Sequence, residues 1–199
     1  MKQTIANLLL AAALGTAILP TAALAADKPA NPARQTVWDL YLTSREAHDM
    51  KQAQGDKVLF VDVRDPVEIM FTGFTDVVDI NIPLMTASTS GWNEKKSVFA
   101  MVPNAHFETD IAAALAKRGL DKTTPVILMC RSGGERGAPS ARMLEGKGYR
   151  SVYVVVDGFE GDSVKDGERK NWRLVNGWKN ANLPWSYKLN QDKMYFSHP

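Results

Sequence analysis

The 199-residue sequence carries 24 Lys and Arg against 22 Asp and Glu, a formal net charge of +2, with 45% hydrophobic residues and a single cysteine. That balance gives no basis for nucleic acid or an anionic membrane as the main partner, and a lone cysteine excludes an intrachain disulfide. The length and apolar content suit one folded core.

The chain opens on Met1-Lys2-Gln3, then the apolar Leu8–Leu14, then Ala23-Leu24-Ala25. A charged start, a short apolar centre and small residues at a cut site read as a secretory signal peptide over residues 1–25. The alternative, a retained membrane anchor, fits less well because the apolar stretch is short and is followed by Pro20. The expectation is therefore a periplasmic or secreted protein with no membrane attachment after cleavage.

Residues 26–36, with Pro29 and Pro32, read as a flexible leader to which no element is assigned. Thr43-Ser44-Arg45-Glu46 has capping-box spacing, predicting a helix that runs to Gln54 and stops at Gly55-Asp56. Val58–Val63 is apolar almost throughout, as in a strand covered on both faces of a parallel sheet. Asp62 is the exception within it, and a buried carboxylate there needs backbone amides or an arginine as partners.

Pro66 near the start of Arg64–Glu68 predicts a short helix, and Val77–Ile82 a further strand ended by Pro83. Leu84–Asn104, with Trp92 and Glu94-Lys95-Lys96, is too irregular to assign. It either covers one side of a pocket or is a surface insertion. Phe107, Ile111, Ala114 and Leu115 recur at helical spacing before Arg118-Gly119.

The next apolar run, Val126–Met129, ends at Cys130, and Arg131-Ser132-Gly133-Gly134-Glu135-Arg136 follows before a helix expected over Ala138 to about Lys147. In that position backbone amides and a helix N-terminus converge on the sulfur. Such groups stabilise an exposed anion by ~0.3–1 kcal/mol, and Arg131 and Arg136 add cationic donors. Cys130 is thus the candidate nucleophile, with Arg131, Ser132, Gly133, Gly134, Glu135 and Arg136 as candidate substrate-binding residues.

Val152–Val156 reads as another buried strand. Asp157–Gly161 and the charged segment to Lys170 read as loop, and Trp172, Trp178, Trp185 and Tyr187 as a packed C-terminal strap rather than a ligand site. Strands alternating with helices indicate an α/β domain.

Four blocks in this order resemble the rhodanese superfamily: Leu59–Asp65 with Glu68, Asn81-Ile82-Pro83, Cys130-Arg131-Ser132-Gly133, and Asp157–Gly161 ahead of Gly177–Pro184. The resemblance spans about Val37 to Trp185. It implies a three-layer domain over 37–187 with a central parallel sheet flanked by helices, then a tail over 188–199. It also implies sulfur transfer through a persulfide on the loop cysteine.

Two departures stand out. The family's usual Gly-His-Ile is replaced by Gly73-Phe74-Thr75, and the loop is longer than the usual sulfurtransferase form, with Glu135 sixth and Arg136 seventh from the cysteine. Cys-x5-Arg is the spacing of cysteine-dependent phosphatases.

Three readings follow. In the first, Cys130 takes sulfane sulfur from thiosulfate or a similar small anionic donor and passes it to cyanide or a thiol, with no metal or cofactor. In the second, the loop serves a phosphatase or arsenate reductase with Glu135 as general acid; a carboxylate at a helix N-terminus, where negative charge is favourable, explains Glu135 better. In the third, the domain is a non-catalytic binding module. Scattered His48, His106 and His198 with one cysteine supply no structural zinc set. Gly133-Gly134 lacks the Gly-Lys-Ser/Thr ending of a nucleotide-binding loop.

Overall fold

The computed structural model describes residues 26–197, so the expected signal segment and His198 lie outside the described residues. Five parallel strands form the central sheet in the order β1 (Tyr41–Leu42), β7 (Val152–Val155), β6 (Val126–Met129), β2 (Leu59–Asp62), β3 (Ile80–Asn81). Helices α1 (Ser44–Gln54), α2 (Pro66–Thr72), α3 (Phe107–Lys117) and α4 (Gly137–Arg142) flank it. The fold is the three-layer α/β arrangement expected.

Alternation along the strands sorts their side chains into two cores. Leu59 and Val61 of β2 with Val126 and Leu128 of β6 face α3 and α4. Phe60, Ile127 and Met129 face α1, α2 and the C-terminal strap. Period-two placement with apolar residues on both sides is what a doubly covered parallel strand requires.

Local signals act as the sequence implies. Thr43 and Glu46 close a reciprocal capping box at the start of α1, with the Thr43 amide 2.7 Å from the Glu46 carboxylate. Asp65 caps α2 through the Val67 amide at 2.7 Å, and Pro66 occupies the first turn, where its missing N–H costs nothing. Asp62 is fully buried and receives the backbone amide, Nε and a terminal nitrogen of Arg64. Arg64 in turn lies over the Phe159 ring, 4.0 Å from its centroid. The isolated carboxylate of the sequence is thus one half of a buried pair.

Several elements differ from expectation. The unassigned excursion is an antiparallel hairpin, β4 (Met85–Asn93) and β5 (Val98–Pro103), irregular between Ser88 and Trp92. The second oxygen of Asp65 accepts the Ala87 amide, tying the hairpin to α2. The helix after the cysteine loop stops at Arg142 and gives way to turns, with Gly146 and Gly148 at positive φ. Strand β3 is shorter than Val77–Ile82, and the edge strand Tyr41–Leu42 has no sequence signal of its own. The leader forms a 3-10 turn over Pro32–Arg34, and Arg142 donates to its Ala33 and Gln35 carbonyls.

The strap is mixed. Trp178 is fully buried, and Trp185 packs edge-on to Phe159, while Trp172 and Tyr187 are exposed.

Candidate active site

Strand β6 is the middle strand of the sheet, and Cys130 is the first residue beyond its C-terminal end, where open α/β sheets place their ligands. Cys130 is 1% exposed, yet it lines a cavity of about 330 Å³ together with Arg34, Arg131, Ser132, Gly134, Glu135, Arg136 and Arg173.

Backbone geometry keeps the loop in place. Gly133 has φ +64°, and a side-chain carbon there would lie 1.7 Å from the Val156 carbonyl oxygen. Gly158, at φ +63°, would likewise strike the Ser132 amide and the Cys130 carbonyl. Only glycine permits the loops after β6 and β7 to touch backbone to backbone. The Cys130 and Arg131 carbonyls then accept the Phe159 and Glu160 amides at 2.9 and 2.8 Å. By contrast, none of the amides from Arg131 to Arg136 donates to a protein acceptor among the described residues. Six consecutive amides of the loop that follows Cys130 therefore remain available to donate to an anion.

The loop side chains divide sharply. Arg136, 13% exposed, makes a two-point contact with Glu68 of α2, at 2.6 and 2.8 Å. Burial pushes the Glu68 carboxyl up, but the Arg136 hydrogen bond and charge outweigh it, with Arg64 and Arg131 behind, and hold the group below the usual carboxylate range. Arg131 is bonded to Glu160 at 2.6 Å, and Lys179 approaches the same carboxylate at 3.6 Å. Glu135 is 78% exposed and reaches outward to Lys96 of the hairpin turn.

A second cavity of about 590 Å³ adjoins the first. It shares Arg131, Glu135 and Arg136 and is walled by Met85, Val98, Phe99 and Met101 of the hairpin. The excursion thus walls the cavity next to the loop, while the lining of the Cys130 cavity itself contains no hairpin residue. At the rear, Asp157 accepts the Ser44 amide and hydroxyl and the Gly177 amide, joining α1, the loop after β7 and the strap. Burial pushes the Asp157 carboxyl up, and those hydrogen bonds only partly oppose it.

All seven sequence-derived candidates, Cys130 through Arg136, belong to this one loop, although Glu135 turns away from the sulfur toward the hairpin. Sequence reasoning assigned no site role to Arg34, Arg173, Glu68 or Glu160. The first lies in the segment read as leader and the second in the aromatic strap after Lys170, and the carboxylates are joined to the arginines only by the fold. Among the described residues no group of His, Cys, Asp and Glu is arranged to hold a metal ion.

Comparison with known proteins places these features in context. A family model described as "Rhodanese-like domain" matches residues 45–164, more than half of the chain. Uncharacterized protein RP600 of Rickettsia prowazekii (strain Madrid E) is 30% identical over 96 residues, 48% of this chain and 67% of that one. Uncharacterized protein RC0915 of Rickettsia conorii is 29% identical over 148 residues, 73% of this chain and 96% of that one. Among solved structures, that of Rv0390 from M. tuberculosis is similar with TM-score 0.52 and 27% identity, covering 74% of this chain and 97% of that one.

Proposed function

Since the chain belongs to the rhodanese-like domain family, we propose that it is a sulfurtransferase that carries sulfane sulfur on Cys130. The observation that carries this reading is the loop itself. A single cysteine sits at the end of the central strand, is followed by six amides with no protein acceptor among the described residues, and lines a cavity together with four arginines. In the first half-reaction the Cys130 thiolate attacks the outer sulfur of thiosulfate. A new S–S bond forms, the bond to the sulfonate sulfur breaks, and its electron pair leaves with sulfite. In the second, cyanide or a thiolate takes the outer sulfur and returns Cys130 to the thiolate. The amides stabilise the negative charge that resides on the sulfur in both halves without having to reorganise.

Phosphate-ester hydrolysis asks more of the loop. It needs Arg136 free for the phosphoryl oxygens and an acid at the leaving group. Arg136 is instead held by Glu68, and Glu135 is directed to Lys96. The exported location read from residues 1–25 belongs to the same proposal, with the reaction taking place outside the cytoplasm.

The test is intact-mass measurement of the mature chain. Thiosulfate should add one sulfur atom, cyanide should remove it, and Cys130→Ser should do neither while its unfolding free energy stays within ~1 kcal/mol of the wild type. An unchanged mass in a folded chain with a free thiol would overturn the proposal.

A further inference from the structure

Four arginines line the Cys130 cavity, but they are not equivalent. Arg131 and Arg136 are neutralised by Glu160 and Glu68. Arg34 and Arg173 have no carboxylate partner among the described residues. The Arg34 guanidinium lies over the loop, with Nη2 3.4 Å from where a side chain on Gly134 would begin. Arg173 spends one donor on the Gly161 carbonyl. The carboxylate of Glu135, which might have cancelled them, is bonded to Lys96. Two cations without a carboxylate partner among the described residues therefore line the same cavity as Cys130.

We propose that Arg34 and Arg173 are the donor-binding residues of this site and that they select a dianionic sulfur donor, of the thiosulfate class, over monoanionic donors. The inference rests on the sulfur-transfer reading for its substrate and on the cavity for its charge. Both residues lie outside the 45–164 match, Arg34 ahead of it and Arg173 beyond it. Two guanidinium groups supply directional donors to the oxygens of a sulfonate. They remain in place as the S–S bond breaks and both charges pass to the departing sulfite.

The experiment compares thiosulfate, a dianion, with methanethiosulfonate, a monoanion that delivers the same sulfur and releases methanesulfinate, each with cyanide as acceptor. Arg34→Gln and Arg173→Gln should each raise KM for thiosulfate about ten-fold, the scale of one charge-assisted hydrogen bond at an open cavity, with kcat changed by less than ~3-fold. KM for methanethiosulfonate should move by less than ~3-fold, and Arg34→Lys should recover most of the thiosulfate loss. Unchanged KM values, or equal rises for both donors, would overturn the assignment.

A second measurement needs no sulfur transfer. Alkylation of Cys130 by anionic iodoacetate relative to neutral iodoacetamide should slow in both Gln variants. If wild-type protein forms no persulfide and this ratio still falls, the sulfur-transfer reading fails while the arginine site stands. If the ratio is the same in all three proteins, the arginine site fails.

Discussion

Arg136 gives both terminal nitrogens to Glu68, which leaves neither of them for an anion in the loop while the contact holds. A half-buried, two-point pair is worth more than a surface contact, and breaking one side leaves a charge without its partner. Glu68→Gln should cost about 2 kcal/mol at neutral pH, below the range for fully buried pairs because both groups keep some solvent contact. The pH dependence follows from the direction of the shift. Glu68 is held below its unfolded pKa, so its contribution is complete above that value and is lost as pH falls through the lower native one. Urea titrations should therefore show a wide gap between wild type and variant at pH ~7 that narrows below pH ~4. A gap that is the same in acid would mean that the pair adds nothing to stability. The freed guanidinium should also strengthen inhibition by inorganic phosphate.

At the scale of elements, the loop after β6 has its shape imposed by its glycines. Gly133→Ala places a carbon onto the Val156 carbonyl at a positive φ, so the loop must move, and an ångström-scale displacement of a nucleophile costs on the order of 10²-fold in rate. Gly134→Ala meets only the Arg34 guanidinium and the Ser132 hydroxyl, both at 3.4 Å, and should lose no more than ~3-fold, less than one tight hydrogen bond. Turnover of the two variants at equal folded fraction is the check, and equal losses would refute the geometric account. The same scale decides what could be read in advance. The α1 cap, Pro66 and the doubly buried β2 were legible because their signals lie within a few residues. The hairpin was not, because Thr86, Ser88 and Ser90 supply no apolar alternation and its turn depends on Ser97 at φ +53° and the Asn93 side chain on the Lys96 amide. Arg34 over Gly134 and Glu68 beside Arg136 are contacts across long stretches of chain, and no spacing rule encodes them.

Across the whole molecule, the chain outside the matched segment closes the site from both directions. The leader brings Arg34 to the cavity from one side. From the other, the segment after β7 returns through Gly177, whose amide bonds Asp157, and through Lys179, which approaches the carboxylate that holds Arg131. Trp178 sits between these two contacts, fully buried against Phe60 with 5.8 Å between ring centroids, and its indole N–H bonds the Pro184 carbonyl at 2.9 Å. Trp178→Ala should destabilise the domain by about 3–5 kcal/mol and lower Tm by roughly 10 °C, as expected for a large cavity in a chain of this size. A purely structural residue would lower activity only in proportion to the folded fraction. Because Trp178 ties together the supports of Asp157 and Glu160, the folded variant should also show a higher KM for thiosulfate. Kinetics well below its Tm, corrected for folded protein, measure this directly. A normal KM alongside the lost stability would confine the strap to packing and leave the placement of Arg131 to Glu160 alone.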